Sequence, residues 1–268
     1  MTSGETIADQ VPCVPAGAPV VTVTICSGPG EGQSIKLRRV ASLFGTKAGC
    51  KLVLRHPRID GRHCVIVNTG VKLFLRDLDT RGKTLRNGLK VEQEIIEDAD
   101  RVQLGPWELK IDLTMPRLAG ASDSPVIMDL EPDPTVLAIE DPGTRKLTRL
   151  SRDVSILGRS SGCDVPIEDR EVSRVHAIIF NFLNRPALLD LVSENGTWVN
   201  DKRAVFAMLQ DGDVLTLGSY QLRFRCNTPK TNSGVDRNGR VLKPAPFGPP
   251  PEGTLSDFID FSAESKLQ

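Results

Sequence analysis

At 268 residues the chain is long enough for two ordinary domains, each able to bury its own core. Lys+Arg and Asp+Glu both number 34, and this zero net charge argues against a general nucleic-acid or membrane-surface binder, although it leaves room for a local basic site that takes one anion. Aromatic residues are only 4% while Gly (23) and Pro (19) are plentiful, a balance that implies many turns and a β-rich protein.

In chain order, residues 1–19 are polar and Pro/Gly-rich, with no basic start and no apolar stretch. Neither a signal peptide nor an anchor is expected from them, and a disordered tail is predicted there. No later segment approaches the roughly 18 apolar residues of a membrane span, so a soluble, cytoplasmic protein is expected. Residues 20–115 follow as a first globular segment, 116–134 as an aperiodic linker, 135–226 as a second globular segment, and 227–268 as a second Pro/Gly-rich disordered tail. The two segments are copies of one another. Gly45 and Gly158, His63 and His176, Asn87 and Asn200, and Gly105 and Gly218 are each 113 positions apart. Laid over each other without a gap, residues 42–111 and 155–224 share 17 identities in 70 positions. These include Gly49/Gly162, Cys50/Cys163, Asp77/Asp190, Thr84/Thr197, Asp98/Asp211 and Asp100/Asp213.

Each copy is predicted to be β. In the second, TVLAIE, KLTRL, VSILG, DVPI, HAIIFNF, PALLDL, TWVN and VLTLGSYQLRFR are short apolar or alternating runs separated by DPG, SSG, ENG and DGD turn signals. No stretch sustains a 3.6-residue period, so helices should be few and each copy a two-sheet sandwich. The six cysteines contain no CxxC pair and are expected to be reduced thiols. A zinc site drawn from Cys50, His56, His63 and Cys64 matches no ligand spacing, so no metal is expected.

The polar residues of the second copy fall in three clusters: Gly158-Arg159, then Ser173-Arg174-Val175-His176, then Asn195-Gly196-Thr197-Trp198-Val199-Asn200. In that order, on a β pattern that ends in DGDVLTLG, they resemble the forkhead-associated domain. That family is a phosphothreonine-reading β-sandwich with a Gly-Arg, Ser-x-x-His and Asn-Gly pattern. The resemblance covers about residues 135–226. It implies an all-β chain of two tandem sandwiches with flexible tails, the second of which binds phosphothreonine peptides on loops at one end. Arg159 would pair with the phosphate, Ser173 would donate its hydroxyl to it, Arg174 would add a further donor, and Asn195 would bond the peptide backbone. Gly158, His176 and Gly196 would support the loops, the histidine tying one loop to the strand behind it. The chemistry agrees: a phosphothreonine carries about −1.5 to −2 charges and three acceptor oxygens, so it wants a fixed guanidinium and short donors on a rigid scaffold. Each residue also has a structural reading, as a solvated charge (Arg159, Arg174), a turn cap (Ser173) or a turn dipeptide (Asn195-Gly196). Glu194 departs from the family's small or neutral residue, and it must point away from the phosphate or pair with Arg174 or Arg203.

Carried back by the offset, the ligand positions of the first copy are Thr46, Asp60, Gly61 and Gly82. The guanidinium, hydroxyl and amide are gone, leaving a scaffold that packs, dimerises or binds an unmodified partner. Arg58, Arg62, Arg81 and Arg86 are there, as a basic patch or a solvated face. The tails hold candidate phosphoacceptors at Thr6 and Thr254, each with an acid three residues on, and the segment TLSDFIDFSAE has the spacing of a short docking helix. The expected partners are therefore a phosphothreonine-containing protein, the chain's own tail included, and a Ser/Thr kinase or its substrates, with no nucleic acid or membrane. A phosphate-independent scaffold is the alternative. Ser173 and His176 as a catalytic pair lack an orienting carboxylate, a GxSxG elbow and an oxyanion loop, and there is no Walker loop. No catalytic residue, no cofactor and no enzymatic role are expected.

Overall fold

The computed structural model describes residues 11–15, 17–114 and 137–227, and the backbone of 259–262. In the first repeat the strands are β1 (Val20–Ser27), β2 (Ser34–Leu37), β3 (Ala41–Gly45), β4 (Leu52–Arg55), β5 (Cys64–Asn68) and β6 (Leu73–Asp77). They continue with β7 (Thr84–Arg86), β8 (Leu89–Val91), β9 (Gln93–Ile95), β10 (Arg101–Leu104) and β11 (Trp107–Thr114). The second repeat has β12 (Leu137–Glu140), β13 (Leu147–Leu150), β14 (Val154–Gly158), β15 (Val165–Pro166), β16 (Ala177–Phe182) and β17 (Arg185–Asp190). It ends with β18 (Thr197–Val199), β19 (Lys202–Arg203), β20 (Phe206–Met208), β21 (Val214–Leu217) and β22 (Tyr220–Cys226). Among the described residues there is no helix.

Each repeat forms two sheets with one shared plan. An outer sheet runs β2-β1-β11-β10-β7-β8 in the first and β13-β12-β22-β21-β18-β19 in the second. An inner sheet runs β4-β3-β5-β6-β9 in the first and β15-β14-β16-β17-β20 in the second. Among these twenty-two strands pairing is antiparallel except between β3 and β4 and between β14 and β15. The identities retained at the offset are explained by this plan. Asn87 and Asn200 both sit at positive φ (49°) after β7 and β18, and each donates its side-chain amide to the aspartate that opens the next strand pair, Asp100 or Asp213, at 2.7 and 2.8 Å.

Two sandwich cores are built from the facing sides of outer and inner sheets. One holds Ile25, Phe44, Leu54, Ile66, Leu104 and Trp107; the other holds Ile139, Leu157, Ile179, Leu188, Leu215 and Phe224. A third core lies between the repeats. The other faces of the two inner sheets meet there, bringing Leu43, Val65 and Val67 against Ile156, Ile178 and Phe180. This is why CVIV in β5 and AIIF in β16 are unbroken apolar runs: both faces of each strand are covered. The molecule is a stack of four sheets.

The contacts between repeats obey the 113-residue offset. Lys47 Nζ donates to the Val192 carbonyl (3.3 Å), and at the equivalent pair the Ser160 hydroxyl donates to the Asp79 carboxylate. Gly49 faces Val192 and its equivalent Gly162 faces Asp79, while Gly70 meets Leu183, its own equivalent. The same patch is used on both sides, so the interface is isologous, with an approximate two-fold axis near Gly70 and Leu183.

Two expectations are corrected. Residues 11–14, assigned to a disordered tail, pair with the first repeat: Arg39 donates to the Val11 carbonyl (2.7 Å), Val40 N to Pro12 O (3.0 Å) and Val14 N to Arg38 O (2.9 Å), and Val11 enters the shared core. These bonds, made with residues 38–40 between β2 and β3, outweigh a loop-like composition. Ile259–Ser262, inside the segment assigned to a tail with a docking helix, forms a strand, β23 (Ile259–Ser262), parallel to β4. The linker at 116–134, Thr6 and Thr254 lie outside the described residues.

Candidate functional site

Three loops of the second repeat converge at one end of its sandwich. The first leaves β14 at Gly158, where a Cβ would stand 2.3 Å from the Arg174 carbonyl oxygen, so only glycine lets the two loops meet. The strap is then hydrogen-bonded as Arg159 N to Ser173 O and Ser160 N to Arg174 O, both 2.9 Å. Cys163 Sγ donates to the same Arg174 carbonyl (3.3 Å), and burial pushes this thiol up to about 12, which keeps it protonated and able to donate. The first repeat keeps this frame without an arginine or a serine at the equivalent positions: a Cβ at Gly45 would stand 2.3 Å from Gly61 O, and Cys50 Sγ donates to that carbonyl at 3.5 Å.

His176 is fully buried and joins the second loop to the third. Its Nδ1 accepts the Ser173 backbone N–H at 3.1 Å, and its Nε2 donates to the Gly196 carbonyl at 3.0 Å. Burial holds its pKa below the ordinary histidine value, with Asp190 opposing, so the ring is the neutral Nε2–H tautomer. The serine hydroxyl is not bonded to the imidazole; Ser173 Oγ instead accepts the Glu194 N–H at 3.2 Å. That geometry does not activate a nucleophile. Asp190, at the end of β17, carries the third loop: its carboxylate accepts Ser193 N (2.8 Å), the Ser193 hydroxyl (2.5 Å) and the Thr197 hydroxyl (2.6 Å). Gly196 turns that loop with φ +83°.

A cavity of about 290 Å³ opens where these loops face the first repeat. Arg159, Ser173 and Arg174 line it together, as the sequence grouped them. Arg159 is exposed and its guanidinium donates to the Val172 carbonyl (3.2 Å); neither it nor Arg170, also on the cavity, has a carboxylate partner among the described residues. The cavity is thus lined by five cations and four carboxylates, and two of the cations lack a carboxylate partner. Asn195 is placed differently. It is exposed at the adjoining loop, and its amide donates to the backbone carbonyl (2.8 Å) and the carboxylate (2.7 Å) of Glu171. Glu194 pairs with neither Arg174 nor Arg203 but with Lys47 of the first repeat, at 3.6 Å.

Several residues of the site carry no ligand motif. Lys47, Asp60, Arg62 and Asp79 of the first repeat line the same cavity. Arg62 is not part of a solvated face: its guanidinium reaches across to the carbonyls of Leu191 and Val192 at 3.1 and 3.2 Å. These residues are brought in by packing between repeats, for which a linear sequence has no periodic signal. Cys163 and Asp190 did have one, since both are identities between the copies.

The chain resembles known proteins in three ways. The FHA domain family matches twice, at residues 42–105 and 155–218. Glycogen accumulation regulator GarA of Mycobacterium tuberculosis is 30% identical over 115 residues, which cover 42% of this chain and 71% of that protein. The ABC transporter ATP-binding/permease protein Rv1747 of the same species is 38% identical over 72 residues, 27% of this chain but only 8% of that one. Among solved structures, the FhaA FHA domain complexed with the intracellular domain of Rv3910 is 32% identical, over 33% of this chain and 99% of that chain, with a TM-score of 0.32. The chain is thus built of β-sandwich interaction modules. It belongs to the FHA-domain family and carries two copies of the domain in tandem. No helix among the described residues is long and apolar enough to cross a membrane.

Proposed function

We propose that the chain is a phosphothreonine-peptide adaptor in Ser/Thr-kinase signalling, with the second repeat as the reader and the first as a scaffold without phosphate chemistry of its own. The observation that carries this reading is the unneutralised pair Arg159 and Arg170 on the cavity that Ser173 and Arg174 also line. A phosphate dianion supplies the missing countercharge and has enough acceptor oxygens for several donors at once. The first repeat offers Thr46, Asp60, Gly61 and Gly82 at the equivalent positions, none of them a cation. Asn195 takes part once it exchanges Glu171 for a peptide carbonyl. The partner is a protein bearing a phosphothreonine, supplied by a Ser/Thr kinase; Thr6 and Thr254 of the tails are candidates in cis.

Titration of the full chain with matched threonine, phosphoserine and phosphothreonine peptides tests the reading. Phosphothreonine should win by at least about tenfold, and Arg159→Ala should weaken it by about 10- to 150-fold, the worth of one charge-assisted bond. Equal affinity for threonine and phosphothreonine would favour a phosphate-independent scaffold instead.

A further inference from the structure

The cavity has two walls, and one belongs to the repeat that has lost its own ligand residues. On that wall stand two carboxylates. Asp60, at the position equivalent to Ser173, lies with Oδ1 3.9 Å from the Arg174 guanidinium. It is held there by Arg81, whose backbone N–H donates to Oδ2 at 3.0 Å and whose guanidinium is 3.5 Å away. Asp79 is exposed and accepts the hydroxyl of Ser160, the residue next to Arg159. The cavity's other two carboxylates are engaged away from these donors, Glu171 with Asn195 and Glu194 with Lys47.

We propose that the ligand site is shared between the repeats, with Asp60 and Asp79 as its affinity- and specificity-determining residues. This rests on the phosphopeptide reading above. A phosphate entering beside Arg159 meets Arg174 already facing Asp60 and Ser160 already bonded to Asp79, and must compete with both carboxylates. Each exchange brings a dianion toward a carboxylate, which opposes binding. A basic side chain flanking the phosphothreonine relieves that repulsion by pairing with the displaced carboxylate, and an acidic one worsens it. The ligand class is therefore a phosphothreonine peptide with a Lys or Arg next to the phosphorylated residue. The first repeat selects it without touching the phosphate through any ligand motif. The isologous interface makes this arrangement possible, because it sets the loop ends of each repeat against those of the other.

The test uses the full chain and phosphothreonine peptides that differ only in carrying Lys, Ala or Glu at one position from −3 to +3. Wild type should prefer Lys over Glu at one or more positions. Asp60→Asn and Asp79→Asn should each tighten the Ala peptide by about two- to fivefold, the scale of a partly exposed ion pair, and Asp79→Lys should reverse the Lys-over-Glu preference. Asp79 is exposed, so its variants keep the test valid if replacing Asp60, which also caps the Arg81 N–H, disturbs the fold. Unchanged affinities and unchanged preference in both Asp79 variants, with binding still lost in Arg159→Ala, would overturn the shared site and leave the phosphopeptide reading standing. If Arg159→Ala binds as wild type does, the phosphopeptide reading falls and the shared site with it.

Discussion

His176 shows how one side chain can be required by the fold and unavailable to chemistry. Both ring nitrogens are committed, one accepting and one donating, so a second proton on the ring would break the bond to the Ser173 N–H. His63 repeats the geometry in the first copy, accepting Asp60 N at 3.1 Å, and burial lowers its pKa as well. The sign of the consequence follows from linkage. Each group titrates lower in the folded state than the ordinary histidine value of 6.5, so below that value the unfolded chain binds more protons and stability falls. Denaturant unfolding should therefore give a midpoint that declines from pH 7.5 to 5.5, by up to about 1.4 kcal/mol per pH unit for each histidine. In His176→Gln the slope should lessen by one histidine's share; a midpoint that is flat or rises toward pH 5.5 would refute the assignment. This role was legible in the sequence because the histidine persists at 63 where the serine has become Asp60. A ligand residue loses its use with the ligand, whereas a loop tie does not. Asn195 was less legible: an Asn-Gly dipeptide announces a turn, but not that its amide binds Glu171.

The strands themselves were written plainly in the sequence, as apolar runs between Gly, Asn and Asp turn signals, and the retained glycines, asparagines and aspartates mark the joints. What those strands pack against was not. An unbroken run such as CVIV is consistent with cover on both faces, but the second cover comes from β14, β16 and β17, more than 80 residues away in the chain. The charged groups along this seam were hidden for the same reason. Arg76 on β6 is only 4% exposed, and its guanidinium donates to Asp164 in the loop before β15 at 2.9 Å and to the Glu92 carbonyl at 3.1 Å. Asp164 also receives Arg152 (3.0 Å) and the Ile156 backbone N–H (2.7 Å), and Arg152 returns to Glu92 of the first repeat (2.9 Å). The network closes the rim of the shared core. Asp164→Ala strands the buried Arg76 charge and the Ile156 N–H together, which should cost about 3–5 kcal/mol. Thermal or denaturant unfolding measures this, and the double variant Asp164→Ala with Arg76→Met should recover a large part of it. A loss below about 1 kcal/mol in the single variant would mean that water replaces the carboxylate.

At the scale of the whole molecule, the shared core makes the two repeats one structural unit. A transient domain contact would be polar and small, but here buried valines, leucines and phenylalanines of both inner sheets interdigitate under an isologous interface, as in a dimer whose halves have become a single chain. Exposing either inner sheet would return that apolar surface to water, so neither repeat should unfold while the other remains intact. The chain's two tryptophans make this measurable, because Trp107 lies in the first sandwich core and Trp198 in β18 of the second repeat. In Trp198→Phe and Trp107→Phe backgrounds, fluorescence follows one repeat at a time, and the two denaturant transitions should coincide. Phe180 is the residue to challenge. It is fully buried in the shared core, on β16 of the second repeat, with the Phe206 ring at 6.4 Å. Phe180→Ala should cost about 3–5 kcal/mol and move both transitions together, the Trp107 signal as much as the Trp198 signal. A shift confined to Trp198 would show that the repeats unfold independently. The first-repeat wall of the cavity would then be free to part from Arg159, Ser173 and Arg174.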